Sequence, residues 1–417
     1  MSVSPHYRWL IVATTLVNQA FSVGILIYSF ALFVVPWLEE FSVSRGQVML
    51  AIFALQVSIG LVSPLLGRLL DSRSLRWLFI SGAVCTSAGL LLLSQATAFW
   101  QVLLIHATLM PIGMGLCGTL ASQTLVSKWF TTNRGMAIGI SAMGTSLGGF
   151  VFPLVTSSLL ATFAWQGTLM FHAALCFFVL LPLNYLVLSV EPPVRELNTG
   201  TDVSLDNRVW TTPEILKTRM FWLPVIGLVP INAAFGGVQF NLGAYVSDLG
   251  MTQSFAAQLI AVTAFSMIVG KFLFGSLGDK MDHRHLYWLM FMFMSLALLM
   301  YMGEPGRTEL FVAAALQGMA TGGVLPMMGI VYASRFGTLS FGRVVGLVNL
   351  FLMTGSFGSI LSGWIFDATG SYDVAFKVFL VCIVPAAIAI YWLPPPPPQF
   401  EDSSLGGSAT VRTSPTV

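Results

Sequence analysis

The chain has 417 residues, of which 56% are hydrophobic and 9% charged, and its formal net charge is +2. Soluble globular chains carry about 25% charged residues, so the composition excludes a water-soluble domain and points to an integral membrane protein. So small a net charge gives no footing for a nucleic-acid partner, and no motif calls for a cofactor.

Apolar runs of spanning length fall near 9–35, 47–70, 77–94, 99–128, 135–161, 167–189, 220–247, 254–277, 286–302, 309–334, 343–366 and 374–393. Each is long enough to cross a bilayer as a helix, the form that satisfies its own backbone in lipid. The expected fold class is therefore all-α, with twelve transmembrane helices. The first run is too long for a signal-peptide core and lacks an obvious cleavage site, so it reads as an uncleaved span. Cys85, Cys117, Cys176 and Cys382 all lie inside apolar runs. There they act as small apolar residues, with neither a disulfide framework nor a zinc site in their spacing.

Four segments follow from this pattern. Residues 1–189 and 220–393 each supply six spans, expected as two pseudo-symmetric bundles. Residues 190–219 form a polar, Pro-interrupted central loop. Residues 394–417 open with five prolines and run into a Ser/Gly/Thr-rich tail that reads as disordered. Orientation follows from the basic residues. With the N-terminus inside, fifteen Lys and Arg fall in inner loops and tails. Three (Arg45, Arg307, Lys377) fall outside, and Lys271 is left over. That bias places both termini and the central loop in the cytoplasm of a cell (plasma or inner) membrane.

The two halves echo one another. Gly67, Asp71 and Arg73 follow span 2, and Gly275, Asp279 and Lys280 follow span 8, with an offset of 208 residues for both the glycine and the aspartate. A second echo sets Trp129-Phe130 and Arg134-Gly135 against Arg335-Phe336 and Gly342-Arg343. Parallel six-span repeats around a shared interface are the architecture of alternating-access carriers. The repeated charges are expected to form a cytoplasmic gate. Asp71 would accept from the first amides of span 11, and Asp279 from those of span 5 near Arg134, where the helix dipole favours a carboxylate. Such contacts exist only while the cytoplasmic side is shut.

Lys271 is the most pointed residue. It lies eight residues before Asp279, roughly 12 Å deeper along a helix, where an ammonium costs ~2.5–3.5 kcal/mol on insertion scales. The bland reading is snorkelling toward the cytoplasmic face. No acidic residue is placed to pair with it inside the membrane, and an anionic substrate would offset the cost. Lysine is a point charge without arginine's fork, which suits one carboxylate better than two.

Polar residues at helical spacing are candidates for the pocket lining. They are Asn18, Ser22 and Ser29 with Tyr28 in span 1, Asn232 and Gln239 in span 7, Gln317 and Thr321 in span 10, and Asn349 and Ser356 in span 11. Their bland reading is helix–helix hydrogen bonding. His106 is the candidate for proton coupling, although interior histidines are more often structural, as His172 is taken to be. Gly144-Thr145-Ser146-Leu147-Gly148 matches G-x-S-x-G, but a hydrolase elbow needs a strand–turn–helix setting. Inside an apolar helix, Gly135/Gly139 and Gly144/Gly148 read as small-residue packing. With no Walker loop or dinucleotide fingerprint present, an enzyme is not expected.

The G-x-x-x-D-x-R/K loops after spans 2 and 8 resemble the signature of the major facilitator superfamily, over residues 8–393. Tyr28-Ser29-Phe30, Gly270-Lys271 with Gly275 and Asp279, and Phe366-Asp367-Ala368-Thr369-Gly370-Ser371-Tyr372 resemble its monocarboxylate and oxalate/formate carriers. The resemblance implies a substrate-binding arginine in span 8, and this sequence has Lys271 at that position. The oxalate/formate type also carries a lysine in span 11, and none stands between Arg343 and Asp367.

The expectation is a monomeric secondary carrier of a small organic anion, a monocarboxylate first, by proton symport or exchange for a counter-anion. Its substrate contacts would be Lys271, Tyr28, Ser22, Asn232, Gln239 and Asn349. An exporter of drugs or hydrophobic metabolites shares the fold. However, span 5 lacks the Gly-Pro pair of drug antiporters, and Lys271 would repel cationic drugs. A non-transporting receptor would need a signalling domain, for which the loop and tail leave no room.

Overall fold

A computed structural model gives the protein's structure over residues 5–130, 134–190, 210–278, 280–337 and 340–395, with backbone alone at Pro5, Asp71, Arg134, Gly135, Phe341 and Gly342. Among the described residues twelve helices are long and apolar enough to cross a membrane. The first six are α1 (His6–Phe41), α2 (Arg45–Leu70), α3 (Leu75–Ser94), α4 (Phe99–Trp129), α5 (Met136–Thr162) and α6 (Trp165–Val187). The second six are α7 (Arg219–Gln239), α8 (Gln253–Gly278), α9 (His283–Tyr301), α10 (Arg307–Phe336), α11 (Arg343–Thr369) and α12 (Asp373–Tyr391). No strand occurs among the described residues. An even number of crossings puts the start of α1 and the end of α12 on one face, here the terminal face.

Buried apolar side chains gather in two clusters. One is built almost wholly from α1–α6. The other comes from α7–α12 and the segments beside them, joined by Val23, Tyr28, Ala31 and Leu32 of α1. Small residues let the helices within each cluster touch backbone to backbone. A Cβ added at Gly144 or Gly148 of α5 would lie 2.2 Å from the Leu16 carbonyl oxygen or 2.1 Å from that of Ala20 in α1. The corresponding contact of the second six sets Gly358 of α11 against the Ala233 carbonyl oxygen of α7, 2.1 Å from the same construction. A side chain at any of these points would force the helices apart.

Several irregularities have no counterpart in the apolar pattern, a π turn at Cys176–Leu180 of α6 among them. α1 contains a π turn at Gly24–Tyr28, closed by the Ser29 N–H on the Gly24 carbonyl at 3.0 Å. α11 narrows to a 3-10 turn at Met353–Ser356. Beyond α7 the chain forms a second helix, Leu242–Asp248, where the sequence suggested one continuous span to residue 247. The end of the central loop is also ordered. Thr211 and Glu214 cap a helix at Thr212–Lys217, and Trp210 binds Ser340 and Arg343 of the second bundle.

Candidate functional site

Lys271 stands on α8 and reaches across to α5. Its ammonium donates to Ser146 Oγ at 2.9 Å and to Thr145 Oγ1 at 3.2 Å. Among the described residues no carboxylate pairs with it. An ammonium has three N–H donors, so two neutral hydroxyls leave both its charge and one donor unanswered. One turn earlier on α8, Met267 Sδ accepts from the Tyr28 hydroxyl of α1 at 2.9 Å. Gly149 of α5 makes room for this, since a Cβ there would sit 2.8 Å from the Tyr28 ring. Lys271, Tyr28, Thr145 and Ser146 therefore meet where α1 and α5 of one bundle press on α8 of the other.

The remaining candidates are dispersed. Ser22 and Gln239 are buried, and Ser22 Oγ and both Gln239 amide atoms lack a hydrogen-bond partner among the described residues. Asn232 donates to its own helix at Leu228 and packs under Gly355 of the 3-10 turn. Asn18 exchanges hydrogen bonds with Asn184 inside the first bundle, and Ser29 joins Thr156 and His172. Gln317 accepts from Tyr301, and Thr321 donates to its own helix. His106 is buried against Phe30 and Trp37, its Nδ1 2.9 Å from the Val102 carbonyl oxygen, with all these partners in the first bundle.

A cavity of about 630 Å³ opens between the bundles. Its walls are Gln56, Ser63, Gln123 and Met114 from α2 and α4, and Met328, Asn349 and Met353 from α10 and α11. All these positions lie in the middle or the terminal-face half of their helices. Asn349 is the member of the expected pocket that lines it. Ser356 donates to Gln56 between α11 and α2. Of the expected gate, Arg73 and Lys280 are exposed, and open space surrounds Gly67 and Gly275. Asp279 and the side chains of Asp71 and Arg134 lie outside the described residues.

The opposite face is shut. Arg45, first residue of α2, holds Asp248 through both guanidinium nitrogens at 2.5 and 2.6 Å, and also donates to the Tyr372 hydroxyl at 2.9 Å. The backbone N–H groups of Arg45 and Gly46 donate to Asp367 of α11 at 3.0 and 2.8 Å. Gly243 meets the Ala31 carbonyl, and Gly363 meets Gly46, so that α1 and α2 touch the second bundle directly. Burial lifts the Tyr372 hydroxyl above the usual phenol range despite the opposing pull of Arg45. It therefore stays protonated and donates to Asn241 at 3.2 Å. Sequence reasoning counted Arg45 only as an outer-loop charge. A cation opening a helix, with DATG beyond another, was the available signal.

The family model described as Major Facilitator Superfamily matches residues 16–306 and 245–415. The chain belongs to that superfamily. As a facilitator it is a multi-pass membrane protein and a secondary transporter of small molecules, not an enzyme. Its sequence is similar to the monocarboxylate branch. Monocarboxylate transporter 13 of Rattus norvegicus is 26% identical over 385 residues, covering 89% of this chain and 85% of that one. The agnestins efflux protein AgnL12 of Paecilomyces divaricatus is 25% identical, covering 76% and 71%. Among solved structures, a bacterial homologue of the human lysosomal transporter Spinster, inward-facing and occupied, shares the fold at a TM-score of 0.71 and 17% identity, over 93% of this facilitator and 97% of that chain.

Proposed function

We propose that this facilitator carries a small organic anion, a monocarboxylate first, with Lys271 as the counter-charge of the carboxylate. The observation that carries the reading is the ammonium held at the bundle interface by Ser146 and Thr145 alone. Burying a cation without an opposite charge is costly, and a carboxylate supplies both the charge and an acceptor for the third N–H. Tyr28, whose hydroxyl donates to Met267 one turn earlier on α8, is the neighbouring substrate contact in this reading. Similarity to Monocarboxylate transporter 13 of the rat supports the same class. The acidic residues described within the spans occupy first or last turns, as Glu39, Glu309, Asp367 and Asp373 do. Exchange for a second anion, or entry of a proton with the substrate, therefore fits better than a carboxylate relay. In this reading the terminal face is cytoplasmic, the protein works as a monomer, and the structure corresponds to its inward-facing form.

The test is uptake of labelled pyruvate or lactate into proteoliposomes, set beside a cationic dye. Saturable acid uptake that collapses in Lys271→Ala supports the assignment. Full-speed acid uptake in that variant overturns it. A second reading, export of bulkier neutral or apolar metabolites, draws on the cavity, whose Met and Leu walls carry amides but no charge. Dye or apolar-metabolite transport without acid uptake would select it.

A further inference from the structure

A helix leaves its first four N–H groups without intrahelical acceptors. In α2 each of the four has a partner. Gln47 N–H is capped by the Ser44 side chain, Ser44 N–H by the Gln47 side chain, and the N–H groups of Arg45 and Gly46 by Asp367. The first two acceptors belong to the same bundle as α2, while Asp367 belongs to the other. The Arg45 guanidinium repeats the division, since its two-pronged partner Asp248 is also from the second bundle. A fork gripping a carboxylate is the geometry in which arginine selects that group.

We infer that Arg45, with the first amides of α2, is a carboxylate-binding position on the opposite face, which Asp248 and Asp367 fill while that face is shut and an incoming organic acid takes over when the bundles part. Rigid-body rocking carries both aspartates away with the second bundle. The first bundle then keeps a guanidinium and two amides whose acceptors have gone. Its own nearby carboxylates, Glu39 and Glu40, line a separate cavity with Trp165 and Gln253. Gly46 lets α11 come this close, because a Cβ there would meet the Trp364 ring at 2.2 Å and Asp367 Oδ2 at 2.9 Å. The two aspartates thus compete with the ligand, so an acid from this side both occupies the position and favours the open form. The position is distinct from Lys271 and does not depend on it.

Benzoate is the probe, tested by thermal shift on purified full-length protein in a Lys271→Ala background, against chloride at equal ionic strength. Removing the internal competitors in Asp248→Asn/Asp367→Asn should lower the half-saturating benzoate concentration by about tenfold, because the competent state is no longer masked. Adding Arg45→Gln should abolish the effect. Stabilisation that is absent from the double variant, or that survives Arg45→Gln, overturns the proposal. A second measurement keeps both aspartates. Spin labels at Gln95→Cys and Glu304→Cys, on opposite-face loops of the two bundles, should move apart when benzoate is added. An unchanged distance also overturns it. Because Lys271 is absent throughout the melting assay, failure here leaves the Lys271 assignment standing, and failure of that assignment leaves this one.

Discussion

At the residue scale, what matters about Lys271 is the neutrality of its partners. Hydroxyls satisfy N–H donors without cancelling charge, so an anion gains more at this ammonium than at one already in an ion pair. Replacing Lys271 by Ala should lower kcat/KM for the transported acid by about a hundredfold, the scale of losing a charged hydrogen bond in a buried setting. Ser146→Ala removes one neutral partner and should cost about 1 kcal/mol, roughly fivefold. Initial rates of counterflow would separate the two effects. The lysine was conspicuous in the sequence because a cation interrupts an apolar run. Its partners were not, since serine and threonine within membrane helices commonly bond their own turn, and Gly144–Gly148 drew attention to a hydrolase pattern instead. Asn18 and Asn184 were opaque for a related reason. A pair of amides far apart in the chain leaves no local periodicity.

At the scale of the helices, the contacts rest on absent side chains. Gly148→Leu would drive a branched side chain into the Ala20 carbonyl and should destabilise the protein by 3 kcal/mol or more, as overpacking of tight interfaces does at about 1–3 kcal/mol and above. Gly139→Leu, with nothing within 4 Å of its added Cβ, should melt within about 0.5 kcal/mol of the parent. Melting temperatures in one detergent would check the pair. Both glycines belong to small-residue pairs visible in the sequence, yet spacing alone does not say which pair meets a neighbour. Twelve spans were legible because length and hydropathy are properties of each segment by itself. The π turns, the 3-10 turn of α11 and the separate helix Leu242–Asp248 were not, since they depend on packing against other helices.

For the whole molecule the two faces differ in kind. An ion pair, a carboxylate on backbone amides and close backbone contacts seal one, and a largely apolar cavity carrying three amides parts the bundles toward the other. In the proposed orientation, Gln123→Cys and Asn349→Cys should react with a membrane-impermeant thiol reagent supplied from the cytoplasm. Reagent on the other side should leave them unmodified. Labelling in right-side-out and inverted vesicles would decide it. The repeated loops after α2 and α8 hinted at closure of the terminal face, whereas the opposite-face seal joins Arg45 to Asp248 and Asp367, residues brought together only by the tertiary fold.

The π turn of α1 has a consequence for chain length. Each helical residue advances the facing direction by about 100°, so one surplus residue at Gly24–Tyr28 changes which neighbour the helix addresses. Before it, Leu16 and Ala20 face α5 of their own bundle, and after it Ala31 faces Gly243 of the other. Deleting Ile25 would restore an ordinary helix and swing the Ala31 carbonyl about 100° off its target, an offset in phase that no change of side chain repairs. Such a shortened carrier should still insert in the bilayer, yet admit thiol reagents from both sides.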